Sequence, residues 1–411
     1  MTVHSEKVTF APWPSFSNAE IDAVEKVLRS GKVNYWTGQE SREFEKEFAD
    51  FCGSTHAIAV ANGTVALDLA LMGLGIGARN GGLETDEVVV SPRTFLASAS
   101  SIVNAGAVPV FADVDRDSQN ITPETVAPVL TKQTRAILCV HLAGWPCEMD
   151  GFSALIAGQK IKLIEDCAQA HGALYKGRPV GSLGDVAAWS FCQDKIMTTG
   201  GEGGMVTVND AATWNRMWSF KDHGKNYDAV YGRDHPPGFR WLHESFGTNW
   251  RITEMQSAIG RIQLDLMADW TKARNGNAAR LTEALAQFDS IRVPQTAAGN
   301  KHAFYKFYAQ VRPECLSRGW TRDRIVAEIN ALGVPCMQGS CSEVYREKAF
   351  DNTHWRPQSR LSVAQELGDT SLMFLVHPTL TKKNIDAAVS AIAIVLRQAE
   401  GMKQGRQSSR K

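Results

Sequence analysis

The chain has 411 residues, and its 44 basic and 44 acidic side chains give a formal net charge of zero at neutral pH. This length allows two or three domains with sizeable cores. A balanced charge gives no general attraction to nucleic acid or to a membrane surface. The longest apolar run, at 387–396, is too short to span a bilayer. The N-terminal residues lack the basic and then apolar pattern of a signal peptide, so we expect a cytoplasmic protein.

The eight cysteines are scattered along the chain without the paired spacing of a zinc site or of a disulfide framework. Cys336 and Cys341 are close in sequence, but no histidine or second cysteine pair completes a set of metal ligands around them. We therefore expect reduced thiols, as in a cytosolic protein, and no metal site.

Short apolar segments alternate with helical patterns through the first half of the chain. Apolar residues at helical spacing occupy 62–75 and 94–106, and the polar, glycine-rich stretch 78–86 is expected to be an exposed loop. Continuous apolar strands separated by helices predict an α/β fold with a largely parallel sheet covered on both faces. The predicted strands are AIAVA (57–61), EVVV (87–90), VPVFAD (108–113), RAILCV (135–140), IKLIED (161–166), VAAWSF (186–191) and MVTV (205–208).

The pattern changes after about residue 260, where amphipathic helices and strands predict an α+β segment. We therefore predict a large domain over residues 1–260, which includes an N-terminal arm, and a small C-terminal domain over 261–400. The polar and basic residues 401–411 are expected to be a disordered tail. The predicted helices of the second part are 323–333 and 383–400, and the predicted strands are 306–311 and 370–376.

The first predicted strand is followed by Asn62, Gly63 and Thr64 at the beginning of a helix. Ligands of open α/β sheets bind beyond the carboxyl ends of the strands. Glycine lets a ligand approach the backbone, a helix N-terminus has unpaired N–H groups, and Thr64 adds a hydroxyl donor. This combination suits a phosphate. An ordinary helix cap has the same residue pattern, so that alternative stays open.

A carboxylate and a lysine follow two other predicted strands. Asp166 closes IKLIED, where a buried charge needs a cation or hydrogen-bond donors unless it caps a helix. Ser190 lies in the next strand, and Lys195 precedes a cluster of glycines. Burial favours the neutral amine of a lysine, which condenses with an aldehyde; a lysine in a surface loop is the alternative. An anion site, an acid and an amine are what pyridoxal 5'-phosphate requires, so the sequence predicts this cofactor.

Eight stretches of the chain resemble the DegT-type sugar aminotransferases, which are pyridoxal-phosphate enzymes of fold type I. The resemblance covers nearly the whole chain, and it implies an aspartate-aminotransferase-like fold. That fold has a mostly parallel seven-stranded sheet in its large domain and a smaller C-terminal α+β domain. The stretches are VNYWTGQESREFEKEFADFCG, AVANGTVALDLAL, PRTFLASASSIVNAGAVPVFADVD, HLAGWPCEMD, LIEDCAQAHGA, SFCQDKIMTTGGEGGMV, GTNWRITEMQSAIGRIQL and SLMFLVHPTLT.

The resemblance implies roles for the residues that match the family's cofactor contacts. Lys195 looks like the lysine that forms a Schiff base with the cofactor, and Asp166 looks like the partner of its ring nitrogen. Gln169 would bond the ring oxygen of the cofactor, and Phe95 would stack on the ring. In this resemblance Lys195 is the catalytic residue, since it would also carry the proton between cofactor and substrate.

The resemblance further implies a phosphate site shared between two chains. Gly63, Thr64 and Ser190 would hold the phosphate from one subunit, and Asn249 in GTNWR would reach it from the neighbouring subunit. We therefore expect a homodimer whose active sites are built from both chains. The segment 252–262 has apolar residues at helical spacing and predicts an amphipathic helix just after Asn249.

The function implied is an aminotransferase that moves an amino group from glutamate or glutamine to a keto-sugar by a ping-pong mechanism. The keto-sugar is expected to be nucleotide-linked, in amino-sugar, polysaccharide or secondary-metabolite biosynthesis. Because the sequence has no fingerprint for binding a nucleotide, the nucleotide link depends on the family alone. A metal, a nucleic acid and a membrane are not expected as partners.

Three alternatives remain at this point. Sugar dehydratases of the same fold have histidine in place of the lysine, so Lys195 argues against that activity. A cyclitol ketone of the scyllo-inosose type could replace the sugar, and a non-catalytic regulator could be built on the same fold. The chain departs from the family in TTGGEGG, in residues 192–194, in the longer loop 78–86 and in 340–350. The last two departures weaken any choice of a particular sugar.

Overall fold

The computed structural model of the protein describes residues 9–235, 238 and 240–401. The predicted tail, apart from residue 401, lies outside the described residues. The strands are β1 (His56–Val60), β2 (Glu87–Val90), β3 (Val108–Phe111), β4 (Thr134–Val140), β5 (Lys162–Asp166), β6 (Leu174–Tyr175), β7 (Arg178–Pro179), β8 (Val186–Ser190), β9 (Gly204–Val208), β10 (Ile291–Arg292), β11 (Phe307–Val311), β12 (Cys336–Met337) and β13 (Ser371–Phe374).

The helices surround a seven-stranded and a four-stranded sheet, and β6 and β7 form a separate two-stranded sheet. They are α1 (Asn18–Ser30), α2 (Glu40–Cys52), α3 (Gly63–Leu74), α4 (Ala97–Asn104), α5 (Pro123–Val126), α6 (Met149–Leu155), α7 (Ala211–Lys221), α8 (Tyr227–Tyr231), α9 (Glu254–Asp265), α10 (Met267–Leu285), α11 (Arg322–Ala331), α12 (Ser362–Thr370) and α13 (Lys382–Ala399). None of the helices in the described ranges combines the length and the hydropathy of a membrane span.

The first sheet has seven strands in the order β1-β9-β8-β5-β4-β2-β3. The pairs from β8 to β3 are parallel, and β9 runs antiparallel to both β1 and β8. The predicted α/β fold with a mostly parallel seven-stranded sheet is therefore confirmed. This order makes β5 a central strand and places the carboxyl ends of β5 and β8 next to each other.

The strands are apolar along their whole length because both faces of the sheet are covered. In β1, Ala57 and Ala59 belong to one buried core, whereas Ile58 and Val60 belong to the core on the opposite face. Successive side chains of a strand point to opposite faces, so a strand buried on both sides has no polar alternation. Helix α2 packs beside β1 on one side, and α3 packs against β8 and β9 on the other.

The second sheet is antiparallel throughout, with the order β10-β11-β13-β12. Its apolar face packs on α10, α11 and α13 around a separate core that includes Phe307, Ile329 and Ile392. The α+β character predicted for the C-terminal part is confirmed. Residue 260 lies inside α9, and the division of the chain at that residue stays a prediction.

The loop predicted at 78–86 is mostly exposed, but it contains one turn of 3-10 helix, Ala78–Asn80. Its last residue, Asp86, is buried, because its carboxylate accepts hydrogen bonds from the backbone amides of Gly77 and Leu83. A polar stretch therefore carries one buried carboxylate that closes the turn.

Helix α9 confirms the helix predicted over 252–262, but its most buried face is not the apolar one. The buried residues are polar or small, and they face α1 and α2. Glu254 accepts hydrogen bonds from the amides of Glu40 and Ser41 there, at 2.6 and 3.2 Å. The apolar side chains of Met255, Ile259 and Ile262 are only half-buried.

Glu165, in the central strand β5, is fully buried and accepts four hydrogen bonds. One comes from His141 Nε2 at 3.0 Å, and the others come from the amides of Gly181, Leu183 and Gly184 at 2.9, 2.8 and 2.7 Å. Burial disfavours the charged form, but these donors outweigh it and lower the pKa of Glu165. The carboxylate thus ties the end of the sheet to the loop before β8.

We predict that Glu165→Gln lowers the free energy of unfolding at pH 7 by about 3 kcal/mol, because the amide leaves buried donors unpaired. The ionised carboxylate stabilises the fold fully above its ordinary pKa of 4.5, and this stabilisation is lost as the pH falls through the lower folded-state value. The difference in unfolding free energy between Glu165→Gln and the wild type should therefore shrink as the pH falls through the folded-state pKa of Glu165. Urea unfolding between pH 3 and pH 7 measures both effects.

The control is Asp150→Asn, which removes an exposed carboxylate paired with Lys176 and Arg178. Exposed ion pairs contribute little to stability, so its unfolding midpoint should match the wild type. A Glu165→Gln protein with a wild-type midpoint, or a difference that grows toward acid pH, contradicts the prediction.

Candidate active site

A cavity of about 850 Å³ lies beyond the carboxyl ends of β1, β5 and β8. The first sheet forms its base, and residues of the C-terminal part form one wall, including Tyr305, Lys306 and Met373. Seven of the eight predicted site residues line this cavity: Gly63, Thr64, Phe95, Asp166, Gln169, Ser190 and Lys195. Asn249 does not line this cavity; the residue is exposed, and its backbone forms an isolated β-bridge with Asp222.

The N-terminus of α3 forms an anion-binding edge of the cavity. Asn62 caps the helix, and its side chain accepts from the amide of Val65 at 2.9 Å. The amides of Gly63 and Thr64 have no intrahelical partner, so they can donate to an anion. A Cβ atom on Gly63 would lie 2.5 Å from Cβ of Ser190, so only glycine lets the helix approach the serine this closely.

Asp166 ends β5 inside the cavity and is 5% exposed. Its carboxylate accepts from the hydroxyl of Ser98 at 2.7 Å and from the amide of Ala168 at 3.1 Å. Burial raises the pKa of Asp166, although these two donors and the charge of Lys195 oppose the rise. A cationic N–H group placed in the cavity would give this carboxylate the partner that burial demands.

Lys195 follows β8 in a short loop and extends its amine along the cavity. Its Nζ lies 5.0 Å from the centroid of the Tyr305 ring. The indole Nε1 of Trp13 donates to the backbone carbonyl of Lys195 at 2.8 Å. The lysine is therefore held at its backbone by the N-terminal segment, while its side chain contacts the C-terminal part.

Gln169 and Phe95 complete the surroundings of a flat ligand. The side-chain oxygen Oε1 of Gln169 accepts a hydrogen bond from the backbone amide of Ala143 at 2.7 Å, so the side-chain nitrogen Nε2 is left to donate. The ring of Phe95 lines the cavity and is 70% exposed, which leaves a face for stacking.

The residues present fit pyridoxal 5'-phosphate. The open amides at α3 suit its phosphate, the buried Asp166 suits a protonated ring nitrogen, and Lys195 supplies the amine for its aldehyde. The close approach of Gly63 to Ser190 forms the narrow end in which a phosphate fits.

Sequence reasoning missed several residues that line the cavity. Tyr305 donates from its hydroxyl to the carboxylate of Asp194, and the ammonium of Lys306 lies 3.8 Å from the same carboxylate. Ser98, which bonds Asp166, was also missed. Tyr305 and Lys306 lie more than 100 residues after Lys195, and the aromatic stretch HAFYKFY at 302–308 is the only local signal for them.

A metal set that the sequence did not suggest is formed by His141, Glu165 and Cys167, whose ligand atoms all lie within 4.8 Å of one another. Both ring nitrogens of His141 are already used, since Nδ1 accepts from the amide of Cys147 at 3.0 Å and Nε2 carries the proton that it donates to Glu165. A ring that accepts at Nδ1 is neutral. Among the residues described, this set therefore works as a hydrogen-bond support for β5.

Comparison with known proteins agrees with this geometry. The model of the DegT/DnrJ/EryC1/StrS aminotransferase family matches residues 14–393. The GDP-perosamine synthase of Caulobacter vibrioides is 35% identical over 361 residues, which are 86% of this chain and 89% of that protein. The L-glutamine:2-deoxy-scyllo-inosose aminotransferase of Streptomyces fradiae is 35% identical over 320 residues, which are 75% and 73% of the two chains.

A solved structure shares the whole fold. The aminotransferase from Psychrobacter cryohalolentis is 59% identical and superposes with a TM-score of 0.92, covering 95% of this chain and 100% of that one. Both the match to the family and the geometry of the cavity point to the same cofactor and the same type I fold. The chain belongs to the DegT/DnrJ/EryC1/StrS aminotransferase family, and it is a pyridoxal-phosphate-dependent aminotransferase.

Proposed function

We propose that the protein transfers an amino group from glutamate or glutamine to a keto-sugar that is linked to a nucleotide. The observation that carries this proposal is the cavity that unites Lys195, Asp166 and the N-terminus of α3. Its volume of about 850 Å³ accommodates the cofactor together with a sugar. The name of the GDP-perosamine synthase, a relative of similar length, supports a nucleotide-linked substrate.

The cofactor, when bound, supplies an electron sink and carries the amino group between the two substrates. In this proposal Asp166 keeps a proton on the ring nitrogen, and Gln169 donates its amide N–H to the ring oxygen. The amides of Gly63 and Thr64 and the hydroxyl of Ser190 bind the phosphate. Lys195 holds a proton at Nζ and moves it to and from the reacting carbon.

A cyclitol ketone is the second acceptor to test, because the Streptomyces fradiae relative is named for a scyllo-inosose substrate. Purified protein should be incubated with glutamate or glutamine and either a panel of nucleotide-linked 3-keto- and 4-keto-sugars or scyllo-inosose. Mass spectrometry of the products identifies the aminated ketone. Amination of scyllo-inosose alone contradicts the nucleotide-sugar proposal, and no amination of any ketone contradicts both.

We also propose that the working unit is a homodimer with shared sites. Asn249 lies outside the cavity of its own chain, and the apolar side chains of Met255, Ile259 and Ile262 on the following helix are only half-buried. Trp241 and Phe246, which precede Asn249, are 85% and 99% exposed. Exposed apolar groups of this size are typical of an interface, and the resemblance to the family implies that Asn249 then reaches the phosphate site of the partner chain.

We predict that Lys195→Ala abolishes transamination while the fold stays intact. Lys195 would supply the amine that holds the cofactor's aldehyde, so treatment with borohydride should fix the cofactor to this residue. Mass spectrometry of the borohydride-treated wild type should find the added mass on the peptide containing Lys195. Added cofactor mass on the chain of Lys195→Ala shows that another amine forms the link.

We predict that Asp166→Asn slows the half-reaction with the amino donor by several orders of magnitude while the cofactor remains bound. The amide cannot hold a proton on the ring nitrogen, so the ring withdraws electrons less strongly. Single-turnover absorbance measures the rate, and equilibrium dialysis measures cofactor binding. Near-normal turnover in Asp166→Asn refutes the proposed role.

We predict that mixing Lys195→Ala and Asn249→Ala chains restores activity. If sites are shared, one site of each mixed dimer has an intact lysine from one chain and an intact asparagine from the other. Cofactor binding should also tighten the dimer, because each phosphate site spans two chains. Native mass spectrometry verifies that mixed dimers form. Mixed dimers no more active than the two parents show that Asn249 does not reach its partner's site.

A further inference from the structure

Five charged residues line the cavity within the described part of the chain, and two of them are cations. The carboxylates are Asp166, Asp194 and Glu202, and the cations are Lys195 and Lys306. In the proposed function the amine of Lys195 either holds the cofactor's aldehyde or moves the proton, so it does not bind a substrate anion. Lys306 is then the cavity cation that remains for an anionic substrate.

Lys306 is held in the wall of the cavity with its charge only weakly compensated. Its side chain is 14% exposed, and its ammonium lies 3.8 Å from Asp194, which is too long for a hydrogen bond. Asp194 is 54% exposed, and its carboxylate already accepts the hydroxyl of Tyr305. A buried ammonium without a close carboxylate favours the entry of an anion.

The same environment affects the proton equilibrium of the ammonium. Burial lowers the pKa of Lys306, and Asp194 opposes this effect, while the charges of Arg274 and Lys195 add to it. A carboxylate bound directly to the ammonium would stabilise the charged form.

The position of Lys306 distinguishes between two anions that the substrates carry. The ammonium groups of Lys195 and Lys306 lie 5.0 and 4.7 Å from the centroid of the same ring, that of Tyr305. The α-carboxylate of an amino acid is bonded to the carbon that reacts beside Lys195. The diphosphate of a nucleotide-linked sugar is separated from the reacting carbon by part of the sugar ring. Contact with the same Tyr305 ring places Lys306 at the end of the cavity where Lys195 lies, and this position favours the carboxylate.

We propose that Lys306 is the carboxylate-binding residue for the amino-acid donor, with Asp194 as the partner that occupies the ammonium between substrates. The inference rests on the proposed function for the identity of the donor. A carboxylate in direct contact replaces the long and partly solvated pair with Asp194, and the ammonium returns to Asp194 when the product leaves.

The test measures binding to the cofactor-loaded protein by isothermal titration calorimetry. The probes are glutarate, its neutral isostere glutaramide, and the nucleoside diphosphates dTDP, UDP and GDP. A charge-assisted hydrogen bond predicts that Lys306→Met weakens glutarate binding about 10- to 100-fold. Glutaramide and the nucleoside diphosphates should bind as they do to the wild type. Lys306→Arg keeps the charge and should retain most of the glutarate affinity.

Two further variants sharpen the test. Lys301→Met removes an exposed lysine five residues earlier and changes the net charge by the same amount as Lys306→Met. It should leave glutarate binding unchanged. Asp194→Asn removes the competing carboxylate, and it should tighten glutarate binding about two- to fivefold, as expected for a partly exposed pair.

If Lys306→Met weakens the binding of glutarate and of glutaramide equally, the role of Lys306 is structural, and the proposal is overturned. If Lys306→Met weakens the binding of the nucleoside diphosphates alone, Lys306 belongs to the site of the other substrate, and the proposal is overturned. Unchanged glutarate binding in Lys306→Met also overturns the proposal. Reaction of the wild-type protein with glutamate or glutamine is followed separately by absorbance. If neither donor reacts but Lys306→Met still weakens glutarate, the proposed donor is wrong and the carboxylate site stands.

Discussion

Two adjacent carboxylates, Glu165 and Asp166, are buried at the end of the central strand, and the site depends on how each charge is met. Alternation along a strand sends them to opposite faces of the sheet. The protein itself satisfies Glu165 with His141 and three backbone amides. Asp166 accepts hydrogen bonds from only one hydroxyl and one amide, so its charge still needs a cationic partner in the cavity. The difference in donors separates a structural carboxylate from a functional one.

The sheet and the base of the site were predictable because their signals are local. A strand buried on both faces must be apolar throughout, and a polar residue directly after such a strand marks the edge where ligands bind. Asp166 and Lys195 come together because β5 and β8 are neighbours in a parallel arrangement. The sequence could not show the structural role of Glu165, because its donors come from His141, which follows β4, and from the loop before β8.

The wall formed by the C-terminal part was not predictable from the sequence. Tyr305 and Lys306 directly precede the apolar strand β11, and they reach the cavity only because the second sheet packs beside the first. Helix α9 shows the same dependence on tertiary contacts. The sequence predicted the amphipathic helix, but not that hydrogen bonds to Glu254 and Gln263 would bury its polar face within the chain.

The glycines after Lys195 give the loop its shape, and other segments give it its position. Gly201 and Gly203 have φ angles of 123° and 156°, which residues other than glycine rarely adopt. Ile196 and Met197 bury their side chains in the core directly after Lys195. Trp13 donates to the carbonyl of Lys195, and Gln263 accepts from the amide of Thr198 at 2.8 Å. The backbone on both sides of the lysine side chain is thus held by the core, by the N-terminal segment and by α9.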